Sequence, residues 1–296
     1  DIQRANRWYR KGRNIKKINT DASHEGLDYD ELKKVINDEK FKLSWIPFNE
    51  FNKVYEIGQG GFATVYFAEW IDKNENRRKQ VALKLIHNSY KYNQEFVDEL
   101  KNYSEIGYEN PSFLKCYGVS REPNSKDYII VLEYAKEGSL RENLSKVVKM
   151  DWKKKLNLLY CVASDLESIH SQELIHRDLH SGNILQDLLH NAYISDLGLS
   201  TSSDIKQDGK IHGVMPYVAP EVLRGQQFTQ AADVYSFGVI MTEISSGKRA
   251  FDGIPFNIEL DSKICDENER SELGEGIPGC YVNLAKRCMD SDQIND

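Results

Sequence analysis

The chain has 296 residues, 40% of them hydrophobic and 29% charged, and carries a net charge of −7. Those proportions suit a soluble globular protein of one large domain or two lobes, and the acidic balance gives no support to a nucleic-acid-binding domain as a whole. Five scattered cysteines (Cys116, Cys161, Cys265, Cys280, Cys288), never in a CxxC pair, argue against a disulfide framework or zinc site and for a reducing cytosol or nucleus. No run of 18 apolar residues is present to span a membrane, and no apolar signal segment is expected at the N-terminus.

Residues 1–50 read as a leader or linker. The segment 1–17 holds seven Arg or Lys against one Asp. Such a basic tail can touch RNA, a membrane surface or an import receptor, or be a solvated linker. LDYDELKKVINDEKF then has helical spacing at Leu27, Leu32, Val35 and Ile36, broken at Pro47. From 54 onward VYEIG, TVYFAEW and QVALKLI read as strands, QEFVDELKNYSEI as a helix, and LKCYGVS and YIIVLEYA as strands again. After EGSL the pattern turns helical. In DWKKKLNLLYCVASDLESIHSQ the residues Leu156, Leu159, Val162, Leu166 and Ile169 form the expected inward stripe, and AADVYSFGVIMTEISSG reads as a buried helix.

Several stretches carry chemistry. IGQGGFATVY places Gly58 and Gly60 between two strand-like runs, where backbone N–H groups can approach phosphates or simply turn a hairpin. That context argues against a dinucleotide fold or a Walker loop. VALK ends an apolar strand on Lys84, which either snorkels to the surface or meets an anionic partner. Glu99 is the preferred partner over Glu95, because it shares a helix face with Phe96 and Tyr103. HRDLHSGNIL supplies Asp178 and Asn183 on a loop, and ISDLG adds Asp196 thirteen residues later. An Asp, an Asn and an Asp in this order can accept a substrate hydroxyl proton and hold Mg²⁺.

With IGQGGFATVY, VALK, Glu99, HRDLHSGN, DLG (196–198), APE (219–221) and DVYSFG (233–238) in order, the chain resembles a eukaryotic protein kinase domain over about residues 51–290. SDLGLS and PYVAPEVL are similar to the tyrosine-kinase-like branch, most of all its fungal members. The resemblance implies an α+β, two-lobed fold: an N-lobe (51–135) of antiparallel sheet plus one helix, and a mainly α-helical C-lobe (136–296) lacking its last helices. It implies ATP and Mg²⁺ as cofactors and protein hydroxyls as acceptors, Ser/Thr in the first place with Tyr or dual specificity open. Ile57, Gly58, Gly60 and Val65 would cover the ATP. Lys84 would contact the α- and β-phosphates and pair with Glu99. Asp178 would position the acceptor hydroxyl, and Asn183 and Asp196 would bind Mg²⁺. Val65, Ala82 and Leu185 would sandwich the adenine, Glu133 and Ala135 would offer it backbone groups, and Leu132 would be the gatekeeper. Tyr103, Cys116, His176 and Leu197 would form the regulatory spine, or equally a plain core. Arg177 would grip a phosphate that an upstream kinase places on Ser200–Ser203.

The departures are as informative. His180 stands where Ser/Thr kinases usually have a lysine; it is expected to be mostly neutral at pH 7 unless the phosphates and Asp178 raise its pKa and hold a proton on it. Val214 stands where they usually have a threonine, Ala63 replaces a loop glycine and DLG replaces DFG. The arginine expected to pair with Glu221 falls beyond Asp296, which reads as a fragment or truncated product with Glu221 left unpartnered. The expected function is an ATP-dependent protein kinase of intracellular signalling. The rivals are a pseudokinase scaffold and a small-molecule kinase on a related fold, against which APE and DVYSFG argue.

Overall fold

The computed structural model describes residues 27–72, 77–91, 94–202 and 213–290. They fall into two compact units, one ending at Tyr134 and one beginning at Ala135. The basic segment 1–17 and Ser203 lie outside the described residues. The first unit carries the antiparallel sheet and the second is mainly helical, as the resemblance implies.

In the first unit, alternation of apolar and polar residues builds a six-stranded sheet. Its strands are β1 (Ser44–Trp45), β2 (Phe51–Gln59), β3 (Ala63–Asp72), β4 (Arg77–Ile86), β5 (Cys116–Arg121) and β6 (Tyr128–Glu133), in the order β1-β5-β6-β4-β3-β2. Neighbours run antiparallel except β1, which pairs parallel with β5. Val81, Leu83 and Leu85 of β4 join Ile46, Phe51, Trp70, Ile129 and Val131 in one core. The two-residue period then turns Ala82 and Lys84 to the opposite face.

Two helices pack in this unit. Helix α1 (Leu27–Asn37) buries Leu32 and Val35, and α2 (Gln94–Glu109) buries Phe96, Val97, Glu99, Leu100, Tyr103 and Ile106. Residues 32–46, read from sequence as part of a leader, are therefore integrated in the first unit: α1 lies against α2, and Ile46 N–H bonds Val119 O at 2.8 Å. Gly118 makes this crossing passable. Its φ is +146°, and a Cβ there would collide with the Ser44 backbone.

In the second unit, β7 (Gly138–Ser139), β9 (Ile184–Leu188) and β10 (Asn191–Ile194) form a small sheet in the order β10-β9-β7, and β8 (Leu174–Ile175) pairs with β11 (Thr201–Ser202). Helix α3 (Leu140–Val147) starts in a capping box between Ser139 and Glu142, and α4 (Trp152–Ser171) starts on an Asp151 cap. After the short α5 (Pro220–Leu223), α6 (Gln230–Ser246) is buried along most of its length. Helices α7 (Ile258–Cys265) and α8 (Gly279–Cys288) follow, and α8 packs on α6.

The inward stripe of α4 needs one correction. It consists of Lys155, Leu158, Leu159, Val162, Asp165, Leu166 and Ile169, and Leu156 is 53% exposed. At 3.6 residues per turn Leu156 sits about 120° round from Val162, off the buried face. The spacing had passed over Lys155 and Asp165 because they are polar. Asp165 accepts the Ile194 N–H at 2.9 Å, and the Lys155 ammonium lies 4.8 Å from the Trp152 ring centroid.

Candidate active site

In the first unit Lys84 lies between Val65 of β3 and Ile130 of β6, and its ammonium donates to Oε1 of Glu99 on α2. Both side chains are buried. Glu95, the rival carboxylate, is exposed at the start of the same helix. The strand register holds Lys84 and the packing of Phe96 and Tyr103 holds Glu99, so the pair is positioned from both sides.

The glycine-rich turn joins β2 and β3, with Gly60 N–H bonding Ala63 O at 2.8 Å. Neither Gly58 nor Gly60 has a positive φ, and a Cβ on Gly58 would meet nothing within 4 Å. The protein's own backbone therefore does not require glycine at 58, and the missing side chain leaves open space. His87, which the motif reading passed over, props the turn. Its N–H bonds Phe62 O at 2.9 Å and its Nε2 lies 2.8 Å from Thr64 Oγ1. Ile57 is exposed, whereas Leu132 is buried and pairs with Ala82 across β4 and β6. The Glu133 N–H bonds Lys115 O, and Ala135 O accepts the Gly138 N–H.

In the second unit one loop collects most of the remaining residues. Asp233 of α6 anchors it. Its carboxylate accepts the N–H groups of His176 at 2.8 Å and Arg177 at 3.0 Å, and lies 2.9 Å from His170 Nε2. Asp233 was legible only as a letter of DVYSFG; its role needed the fold. His176 is fully buried and does more than pack. Its Nδ1 accepts the Asp178 N–H, so its Nε2 carries the proton and donates to Ser195 O at 3.1 Å. Ser195 in turn donates from its backbone N and its Oγ to Asn183 O, each at 2.9 Å. Asp178, Asn183 and the strand end before Asp196 are thus tied into one network.

The Asn183 amide nitrogen donates to Asp178 O at 2.9 Å and to Asp178 Oδ2 at 3.2 Å. Its Oδ1 makes no hydrogen bond among the described residues and is available as a neutral oxygen ligand. Burial raises the Asp178 carboxyl to about 6, with the nearby Asp196 charge adding to it. Asp196 caps a short 3₁₀ turn (Leu197–Leu199) in left-handed backbone, φ 64°. Leu197 fills the buried position that the apolar second letter of DLG predicts.

For His180 the sequence left two protonation states open. Its Nδ1 accepts the N–H groups of Gly182 at 3.0 Å and Asn183 at 3.1 Å, and its Nε2 is 3.7 Å from Asp178 Oδ1. Burial, with the Arg141 guanidinium, pushes the imidazole down to about 4, so it is neutral at pH 7 rather than a replacement cation. It acts as a side-chain acceptor that shapes the loop. Gly213, φ +97°, closes over this loop: a Cβ there would stand 3.2 Å from Arg177 O and 3.5 Å from Asp178 Oδ1.

Of the segment from 200 to 203, Ser200 has a buried Oγ, and Thr201 and Ser202 pair with Ile175 and Leu174. Glu221 is half-buried and makes no ion pair among the described residues. The Cys116 thiol is pushed up to about 12 by burial, which makes it unreactive.

The chain matches the family of protein tyrosine and serine/threonine kinases over residues 51–295. It is 28% identical over 260 residues to a probable serine/threonine-protein kinase of Dictyostelium discoideum, covering 84% of this chain and 19% of that protein. It is 35% identical over 208 residues to a probable LRR receptor-like serine/threonine-protein kinase of Arabidopsis thaliana (68% and 20%). It is 30% identical over 245 residues to the serine/threonine-protein kinase PrkC of Bacillus subtilis (81% and 37%). The chain therefore spans between about a fifth and two-fifths of the length of these relatives. It belongs to the protein kinase family. No helix among the described residues is long and apolar enough to cross a membrane.

Proposed function

We propose that this chain transfers the γ-phosphate of ATP to serine or threonine hydroxyls of protein substrates. The observation that carries the reading is the Asp178–Asn183 pair: a half-buried, partly basic carboxylate held by an amide whose own oxygen is left available. The serine/threonine kinase names of the relatives favour those acceptors.

In this reading Lys84, kept in place by Glu99, binds the α- and β-phosphates, and the open space at Gly58 lets the turn's backbone approach them. Asp178 orients the acceptor hydroxyl and takes its proton as the oxygen–phosphorus bond forms and the bond to the β-phosphate oxygen breaks. Asn183 Oδ1 and the Asp196 carboxylate fit Mg²⁺. Among the described residues no three His, Cys, Asp or Glu side chains gather into a metal cage. That suits an ion which takes one or two carboxylates and completes its shell with phosphates and water. When bound, Mg²⁺ neutralises the phosphate charge. Val65, Ala82, Leu132 and Leu185 are the apolar candidates for the adenine, with Glu133 and Ala135 beside them in sequence. A pseudokinase scaffold would be expected to have lost a member of the set Lys84, Glu99, Asp178, Asn183 and Asp196, and all five are present.

The test is phosphate transfer from Mg²⁺/ATP to a mixed protein substrate, with Asp178→Asn as control and identification of the phosphorylated amino acid. Phosphoserine or phosphothreonine, lost in the control, is the expected result. No transfer from folded, ATP-binding protein would overturn the reading.

A further inference from the structure

Arg141 is a half-buried arginine with no ion pair among the described residues. Its Nε is fully buried and lacks a hydrogen-bond partner among the described residues. A guanidinium in that state is held ready for an anion that is not part of this fold, since leaving such a donor dehydrated is costly.

Its position is built rather than incidental. The capping box of α3 fixes the first helical turn, and the Arg141 N–H donates to Ser181 O at 3.0 Å, which ties that turn to the loop carrying Asp178. The guanidinium lies over Gly182. A Cβ on Gly182 would stand 3.1 Å from Arg141 Cζ and 2.8 Å from His180 Cε1, so the glycine makes room for both side chains. The Tyr217 ring forms another wall, 6.0 Å from Arg141 Cζ and 5.7 Å from the His180 ring. Glu243, the acid behind Tyr217, feels the Arg141 charge but makes no ion pair with it among the described residues, and its Oε2 is buried without a hydrogen-bond partner there. Its Oε1 accepts the Tyr217 hydroxyl at 2.6 Å and the Ala250 N–H at 3.1 Å, and burial pushes its carboxyl up, away from the charged form.

We infer that Arg141 is a specificity-determining residue that binds a carboxylate side chain of the protein substrate, flanking the hydroxyl that receives the phosphate. The Arg141 guanidinium lies beside Gly182 and the Tyr217 ring, and in this reading its anion sits to one side of the phosphoryl group. The inference rests on the kinase reading above.

The experiment uses the whole chain with Mg²⁺/ATP and matched peptides. Each has one serine in an Ala/Gly background, with Glu or Gln at one of the two residues before or after it. One charge-assisted contact predicts at least about a tenfold higher kcat/KM for the best Glu peptide than for its Gln match. Arg141→Gln should collapse that ratio to about one, and Arg141→Glu should move the preference to a Lys peptide. A wild-type ratio near one at all four positions would overturn the inference without any variant. So would a preference that survives Arg141→Gln, or an equal loss on both peptides, which would assign Arg141 to the transferred phosphoryl group. Absence of transfer to every peptide and to mixed protein would overturn the kinase reading as well.

Discussion

His180 Nδ1 accepts the backbone N–H of Gly182 at 3.0 Å, and the same nitrogen takes the N–H of Asn183. An asparagine side chain makes the same turn with its own carbonyl oxygen. His180→Asn should therefore retain most transfer activity, whereas His180→Leu should lower kcat at least about tenfold by leaving the Gly182 N–H unbonded; the Asn183 N–H keeps its bond to His180 O. Because the imidazole is neutral, activity should show no titration from this residue between pH 5 and 8, and an NMR titration should find its ring titrating only near pH 4.

Asp178 should set the acid limb of the pH profile. Its carboxyl titrates at about 6, so kcat/KM for transfer should fall as pH drops through that value. A limb near 4 instead would show that the burial felt by this carboxylate is relieved in solution.

The same shift makes a stability prediction of definite sign. The folded value lies above the ordinary 3.8, so the native state holds a proton that the unfolded chain releases. The fold carries no penalty below pH 3.8, a growing one between 3.8 and 6, and the full one above 6, about 3 kcal/mol. Asp178→Asn should abolish transfer and raise thermal stability at pH 7.5, with the gain vanishing towards pH 3.5. Denaturant unfolding at the two pH values checks this.

Lys84 and Glu99 should behave as a coupled buried pair. Glu99→Leu leaves the Lys84 charge without this carboxylate and should cost about 3–5 kcal/mol, while Lys84→Met with Glu99→Leu should recover much of that stability and none of the activity. Additive losses in the double-mutant cycle would contradict the pairing.

The correction to α4 can be checked on neighbouring leucines. Leu159→Ala should cost about 2–5 kcal/mol and Leu156→Ala less than about 0.5 kcal/mol, because only the first opens a cavity. Thermal unfolding of the two variants decides it.

Much of this protein was legible before any coordinates. Strand alternation in VALK and helical spacing in QEFVDELKNY are local consequences of backbone geometry, so Lys84 and Glu99 could be paired from sequence. Ordered motifs gave the family, because their letters mark backbone positions that tolerate few residue types. The places where reading by letter failed share one cause. Leu156 was assigned inward and Asp165 and Lys155 were passed over, because periodicity counts apolar residues and cannot see a buried polar group. The protonation state of His180 was left open, because composition cannot report desolvation.

The sequence by itself determined the succession of strands and helices, the glycine turn and the spacing of Asp178, Asn183 and Asp196, all of which depend on neighbours along the chain. Tertiary structure alone decided that Asp233 anchors the loop from 57 residues away, that His180 is neutral, and that Arg141 stands over Gly182 with no ion pair among the described residues. Those properties depend on which groups are brought together and stripped of water, and chain order does not encode that locally.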